Sequence, residues 1–166
     1  MTEIHKIGLL SDTHLQSLSS DLLEKCRTHF GDCPLIFHAG DVTAPGVLTE
    51  LETYGWKVVA VRGNMDVHPE LGKLPRKRVV NIGELSVGLC HGWGAPASIK
   101  ERILAEFSSP PQVIVYGHTH QFDDSSYGGV RFLNPGSPTD KRWAPYKSMA
   151  RLVVEGMDVR CEMIRV

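Results

Sequence analysis

Ile4-His5-Lys6-Ile7-Gly8-Leu9-Leu10-Ser11-Asp12-Thr13-His14 is an apolar run that closes on a hydroxyl, a carboxylate and an imidazole. A run of this content reads as a buried strand, which puts Asp12 and His14 at its carboxyl end. Leu35-Ile36-Phe37-His38-Ala39 repeats the form and closes on Gly40-Asp41, and Lys57 to Val61 repeats it again before Arg62-Gly63-Asn64-Met65-Asp66. Helical patterns separate the three runs. Asp21, with Glu24 three residues on, opens one that carries Leu22, Leu23, Cys26 and Phe30 at helical spacing and stops at Gly31. Pro45 suits the first turn of the next, which carries Val47, Leu48 and Leu51 and closes at Gly55. Two strand-helix-strand units with near-continuous apolar strands predict a parallel sheet covered by helices on both faces.

Beyond the Pro- and charge-rich connection from His68 to Arg78 the pattern changes. Val79 to Ile82 and Leu85 to Cys90 flank Gly83-Glu84 as a hairpin, and the second arm ends in His91. Ala97 to Phe107 reads as a helix stopped by Pro110-Pro111. Val113 to Tyr116 is a further buried strand that closes on Gly117-His118-Thr119-His120. The alternating stretches Val130 to Leu133, Ser148 to Val154 and Asp158 to Val166, with turns at Asn134-Pro135-Gly136 and Glu155-Gly156, predict a second, mostly antiparallel sheet.

The chain has 166 residues, 42% of them apolar, the size of one domain, and can bury about 70% of the surface its unfolded form exposes. Its formal charge of −1 supplies no general field for a nucleic-acid backbone or an anionic membrane. The N-terminal Met1 to Lys6 has no apolar leader segment, and no run approaches the ~18 apolar residues of a membrane span. A soluble, cytoplasmic protein is expected. Cys26, Cys33, Cys90 and Cys161 have no Cys-x-x-Cys spacing and read as reduced thiols; Cys90, which ends a strand beside His91, reads as buried packing rather than a ligand.

Five strands thus end in the same kind of side chain, and in open α/β sheets functional groups lie beyond the carboxyl ends of the strands. The candidate metal ligands are Asp12, His14, Asp41, Asn64, His91, His118 and His120. Imidazole mixed with carboxylate and amide oxygen suits Mn²⁺, Fe, Co²⁺, Ni²⁺ or Zn²⁺ better than Mg²⁺ or Ca²⁺. Seven groups are too many for one ion but suit two. Two divalent ions roughly 3.5–4 Å apart can share a hydroxide and clamp a phosphoryl group. His38, inside an apolar strand, reads as a satisfied buried histidine, and Asp66 either orients a ligand or closes a turn. Arg76-Lys77-Arg78 reads as a solvated connection, too small for a nucleic-acid footprint. The turn Asn134 to Ser137 brings its backbone amides into question as further site groups.

The series Asp-x-His (Asp12, His14), Gly-Asp (Gly40-Asp41), Gly-Asn-x-Asp (Gly63 to Asp66), lone His91 and Gly-His-x-His (Gly117 to His120) resembles the calcineurin-like metallophosphoesterase family. It is most similar to the small single-domain phosphodiesterases, whose tail carries Asn-Pro-Gly-Ser like Asn134 to Ser137. The resemblance implies one domain over residues 1–166, folded as a two-sheet α/β sandwich with mixed sheets and flanking helices. It implies two divalent transition-metal ions, Mn²⁺ or Ni²⁺ ahead of Fe, Co or Zn, with Asp12, His14 and His120 on one, Asn64, His91 and His118 on the other, and Asp41 bridging. It implies a hydrolase in which a bridging hydroxide attacks a small phosphate ester, with Asp41, Asn64, Asp66 and His91 at the reaction.

Two positions depart from the family pattern. Met65 stands where many members carry a histidine, and methionine cannot transfer a proton, which typically costs 10²- to 10⁴-fold where the leaving group needs one. Diesters with easily departing groups are therefore expected, or another donor such as His68. Trp93 stands where relatives often carry histidine and offers a stacking face. Met65, His68 and Trp93 are the candidate substrate contacts. The alternative is a scaffold on the same fold, similar to the small retromer subunit. A scaffold is free to lose ligands, and all seven are present here. A nucleic-acid polymer is not an expected partner, because no basic stripe is visible. Edges of the second sheet and the tail Met163 to Val166 leave room for a homo-oligomer.

Overall fold

The computed structural model describes residues 3–166; Met1 and Thr2, part of the stretch read above as lacking a leader, lie outside it. The chain order is β1 (Ile4–Leu10), α1 (Ser20–Phe30), β2 (Leu35–His38), α2 (Pro45–Thr53) and β3 (Lys57–Ala60), then a single 3-10 turn (Leu71–Lys73). There follow β4 (Lys77–Ile82), β5 (Leu85–Cys90), α3 (Ile99–Ala105), β6 (Val113–Val115), β7 (Phe122–Tyr127), β8 (Val130–Pro135), β9 (Ser148–Glu155) and β10 (Asp158–Arg165). They make two five-stranded sheets, in the orders β10-β9-β1-β2-β3 and β4-β5-β6-β8-β7.

β1, β2 and β3 are parallel, with Leu10 opposite His38 and His38 opposite Ala60, so their carboxyl ends lie level. β5, β6 and β8 are parallel in the second sheet. The two sheets pack face to face over Ile7, Leu9, Phe37 and Leu152 from the first and Val87, Leu89, Val115 and Leu133 from the second. Burial of such aliphatic side chains contributes about 1.5–3 kcal/mol each. On the outer face of the first sheet, Leu22, Cys26 and Phe30 of α1 and Leu51 of α2 pack with Leu10 and Ile36. On the outer face of the second, Ile99 and Ile103 of α3 pack with Ile114 and Phe132. The result is a two-sheet α/β sandwich with mixed sheets and helices outside.

The expected helix cover on both faces of the parallel sheet is corrected here. α1 and α2 lie on one face, and the second sheet takes the other, because its own inner face is equally apolar. The tail is corrected too. β9 pairs antiparallel with β1, and β10 with β9, so both join the first sheet. Ile164 and Val166 then pack beside α1, which leaves Met163, 37% exposed, as the open part of the apolar tail. Among the described residues no helix is long and apolar enough to cross a membrane.

Candidate metal centre

Each strand that ends level with its neighbours must turn away at once, and the backbone shows the cost. Asp12, His14, Asp41, His118 and His120 all have φ between 45° and 72°. The left-handed region costs an L-residue roughly 1–2 kcal/mol, and such strain gathers at functional sites. Two glycines permit the close approach. A Cβ on Gly63 would stand 2.2 Å from Asp41 Oδ1, and one on Gly117 would stand 1.9 Å from Ser11 Oγ.

These turns gather all seven candidate ligands. Asp12 Oδ1 lies 3.3 Å from His120 Nε2, 3.7 Å from His91 Nε2 and 3.9 Å from His14 Nε2. Asp41 Oδ2 lies 3.3 Å from His91 Nε2 and 3.7 Å from His14 Nε2. Asn64 Oδ1 lies 3.1 Å from both His91 Nε2 and His118 Nδ1. His14 and His120 approach through their Nε2 atoms at 3.2 Å. Two groups of ligand atoms result, Asp12-His14-His120 and Asp12-Asp41-His91.

The outer nitrogens decide what can sit among these atoms. His91 Nδ1 is 2.7 Å from the Ala39 carbonyl, His120 Nδ1 is 2.6 Å from the Asp140 carbonyl, and His118 Nε2 is 2.9 Å from the Gly94 carbonyl. A carbonyl only accepts, so each of these nitrogens carries the proton, and in the neutral ring the other presents a lone pair inward. The inward lone pairs face carboxylate and amide oxygens, acceptor against acceptor. In the metal-free protein a proton on the inward nitrogen, as on His91 facing Asp41 and His120 facing Asp12, relieves that facing; with the rings neutral, a cation takes the proton's place, and the donor set fits a borderline divalent metal.

The titration behaviour follows from the same facing. Burial pushes the Asp12 carboxyl up, but the His120 hydrogen bond and the charges of His91 and His120 outweigh it and hold it below the ordinary value. Asp41 is likewise lowered: burial opposes, and the bonded His91 and the Met65 amide prevail. His91 is raised to about 8, burial being outweighed by Asp41 and Asp12. His120 is raised against burial by Asp12 and the Asp140 carbonyl, whereas burial lowers His14 despite Asp41 and Asp12.

Each carboxylate keeps one oxygen for the cluster and spends the other on the frame. Asp12 Oδ2 accepts from Ser11 Oγ at 2.6 Å and from the His118 amide at 3.0 Å. Asp41 Oδ1 accepts from the Met65 amide at 2.8 Å. Asp66, 1% exposed, does not reach the ligand side chains; it accepts the amides of Gly63, Asp41 and Thr43 at 2.7, 3.0 and 2.8 Å. His38 accepts the Gly40 amide on Nδ1 and meets Thr13 Oγ1 through Nε2, tying the first two turns together.

The turn after β8 enters by side chain rather than by backbone amide. Ser137 Oγ donates to the Asp12 carbonyl at 2.7 Å, and Asn134 Nδ2 donates to the Gly117 carbonyl at 3.0 Å. Sequence reading missed Ser11, Thr13 and Asp140 in these supporting roles; their only signal was position beside a motif. Met65 and Trp93 are 47% and 41% exposed, and Trp93 lines a cleft that opens on Asn64 and His91. His68 is not brought to the cluster: its Nδ1 accepts the Glu70 amide on the exposed connection.

A two-sheet sandwich with Asp, Asn and His gathered at its strand ends defines a metallophosphoesterase-like protein. The chain belongs to the calcineurin-like phosphoesterase superfamily, whose family model matches residues 6–157. It is 38% identical over 160 residues to a Methanothermobacter thermautotrophicus protein described as a probable metallophosphoesterase, across 96% of this chain and 91% of that one. A structure reported as a novel archaeal phosphodiesterase is 25% identical with a TM-score of 0.73, over 96% of this chain and 99% of that one. Chaetomium thermophilum Vps29 shares the fold at 22% identity and a TM-score of 0.76, over 96% of this chain and 93% of that one. Family membership supports a hydrolase acting on phosphate esters.

Proposed function

We propose that this protein is a two-metal phosphodiesterase acting on small phosphate esters. The observation that carries the reading is the cluster of inward ring nitrogens of His91, His118 and His120 facing Asp12, Asp41 and Asn64. Asp12, His14 and His120 would hold one cation, and Asn64, His91 and His118 the other. Asp41 would contribute Oδ2, which lies between His14 and His91, its partner Oδ1 being taken by the Met65 amide. When bound, a pair of Mn²⁺ or Ni²⁺ ions supplies Lewis acidity towards phosphoryl oxygens and makes a water nucleophilic at neutral pH.

The chain's own residues orient that chemistry. Carbonyls of Ala39, Gly94 and Asp140 fix three imidazole rings in the tautomer that presents a lone pair, as supporting partners of metal-binding histidines commonly do. Met65, half exposed at the rim, cannot protonate a leaving group, which favours diesters whose alcohol departs easily. The archaeal phosphodiesterase neighbour supports the same preference. Free thiols at Cys26, Cys33, Cys90 and Cys161 support a reducing, cytoplasmic setting.

The deciding test is hydrolysis of bis(p-nitrophenyl) phosphate beside p-nitrophenyl phosphate, with metal-stripped protein titrated with Mn²⁺, Ni²⁺ and Mg²⁺. Diester cleavage that depends on Mn²⁺ or Ni²⁺ and falls to background in Asp41→Asn is the expected result. Monoester turnover well above diester turnover would overturn the substrate preference. The fold shared with Vps29 supports a second reading, a protein-binding scaffold. Absence of turnover with every metal, in protein shown to be folded, would put that reading first.

A further inference from the structure

We propose that the cleft beside the metal cluster binds a second anionic group of the substrate, a phosphate or a carboxylate, through the guanidinium groups of Arg62 and Arg76. The proposal rests on the phosphodiesterase reading and narrows its substrate class to diesters that carry a further negative charge on one arm.

The cleft has a volume of about 350 Å³, and its lining includes Asn64, His91, Trp93, Arg62, Arg76 and Lys77. The basic residues reach it from different parts of the chain. Arg62 follows β3, and Arg76 and Lys77 lead into β4. The Arg62 amide donates to the Pro75 carbonyl at 2.9 Å, which holds the two segments side by side.

Seven of the eight other arginines have a partner elsewhere, Arg160 being the exception among the described residues; Arg27 and Arg165 lie over the rings of Tyr54 and Tyr146. Arg131, Arg142 and Arg151 pair with Asp124, Asp140 and Glu162, and Arg78 and Arg102 donate to main-chain carbonyls. Arg62 and Arg76 are exposed, and among the described residues neither guanidinium has a hydrogen-bond or ion-pair partner. Lys77 acts as wall, its ammonium donating to the Glu106 carbonyl and lying 5.3 Å from the Phe107 ring centroid. Glu106 also lines the cleft, so one acidic residue stands against three basic ones and the balance of formal charge stays positive.

A diester seated at the ligand cluster would send one arm along this cleft, past the exposed face of Trp93. The Trp93 carbonyl accepts from Arg102 Nη2 at 2.9 Å, which anchors its loop. An uncharged arm leaves two guanidinium groups without partners; an anionic arm meets planar, charge-assisted donors of the kind that recognise phosphate and carboxylate. Two guanidinium groups make too small a footprint for a polymer backbone.

The experiment compares p-nitrophenyl esters of thymidine 5′-phosphate with and without a 3′-phosphate, together with the p-nitrophenyl phosphodiester of lactate, whose arm is a carboxylate. Bis(p-nitrophenyl) phosphate is run alongside as the uncharged reference. The expected result is a kcat/KM for the 3′-phosphorylated ester about tenfold above its uncharged counterpart, expressed mainly in KM, the scale of hydrogen bonds to charged groups. That ratio should collapse towards one in Arg62→Ala/Arg76→Ala and be partly restored in Arg62→Lys/Arg76→Lys. A matching preference for the lactate ester assigns the site to anions in general, and its absence assigns it to phosphate.

Equal kcat/KM for charged and uncharged thymidine esters, or a preference that survives the double alanine variant, overturns the proposal while diester turnover itself stands. If no diester is cleaved, the hydrolase reading fails separately, and calorimetric titration with thymidine 3′,5′-bisphosphate against thymidine 5′-phosphate decides the cleft. Tighter binding of the bisphosphate, lost in the double alanine variant, supports the anion site; equal affinities overturn it.

Discussion

Asp66 is buried beside the candidate ligand Asp41 and accepts three main-chain amides, those of Gly63, Asp41 and Thr43. Asp66→Ala strands these donors in a buried place, so a loss of about 3 kcal/mol is expected in urea unfolding, with metal affinity down about 10- to 100-fold through the displaced Asp41. Gly63→Ala acts more directly, because its Cβ would overlap both the Asp41 carboxylate and the Asp41 amide nitrogen, 2.3 Å away. Loss of metal binding by calorimetry, together with a lowered unfolding midpoint, is the expected outcome. His91 contributes a defined part of the pH response of the metal-free protein. Its folded value of about 8 exceeds the ordinary 6.5, burial being outweighed by Asp41 and Asp12. Its contribution to stability is therefore complete below about pH 6.5 and lost as pH rises through about 8. Metal needs the same lone pair, so affinity should rise with pH up to about 8 and binding at pH 6.5 should release about one proton from His91. Calorimetry in buffers of different ionisation enthalpy measures that release; none at pH 6.5 would contradict the assignment of His91 as a ligand.

At the scale of elements, α1 meets β1 at one narrow point. A Cβ on Gly8 would come within 2.6 Å of the Phe30 ring, and Phe30 is fully buried. Gly8→Ala should therefore destabilise the protein by about 1–3 kcal/mol through overpacking, read as a lower midpoint in chemical denaturation. The start of α1 was misplaced in sequence. Ser19, not Asp21, is the N-cap, its hydroxyl accepting the Leu22 amide at 3.2 Å, and Asp21 instead pairs with Lys25 one turn on. Two acceptors so close together both satisfy a capping pattern, and only the backbone at Ser19, extended at ψ 149°, chooses between them. α3 begins at Ile99 rather than Ala97 because Ser98 takes a left-handed φ of 59°. β7 was missed altogether: Phe122 to Tyr127 is largely polar, an edge strand paired only with β8 and tied to it by Arg131 on Asp124. An edge strand with a wet face lacks the apolar signal by which strands are recognised.

At the scale of the molecule, the ligand cluster joins the two sheets. Asp12, His14, Asp41 and Asn64 follow strands of the first, and His91, His118 and His120 follow strands of the second. Metal bound there favours the folded sandwich over every open form. At a free concentration a hundredfold above Kd the gain is about 2.7 kcal/mol, which for a domain of this size raises Tm by roughly 5–10 °C. Thermal unfolding with Mn²⁺ or Ni²⁺ against chelator measures the shift. A Tm indifferent to both metals would count against a site shared between the sheets.

The sequence by itself determined the apolar runs that become β1, β2, β3, β5 and β6, the helices between them, and the motif series that marks the superfamily. Those features are local: a strand or an amphipathic helix is written in the periodicity of its own side chains. Periodicity does not say which strand a face will meet, so the placement of β9 against β1 and of β10 against β9 was open until the antiparallel register was seen. The same limit governs the site. Residue type nominated its seven candidates, but the direction of each lone pair depends on carbonyls as distant as Ala39 from His91, 52 positions apart, and the Asp12 turn is held by Ser137, 125 positions away. Hydrogen bonds of that reach form only when the sheets have packed, and so do the cleft of Arg62 and Arg76 and the gathering of imidazole nitrogens and carboxylate oxygens that could hold a metal.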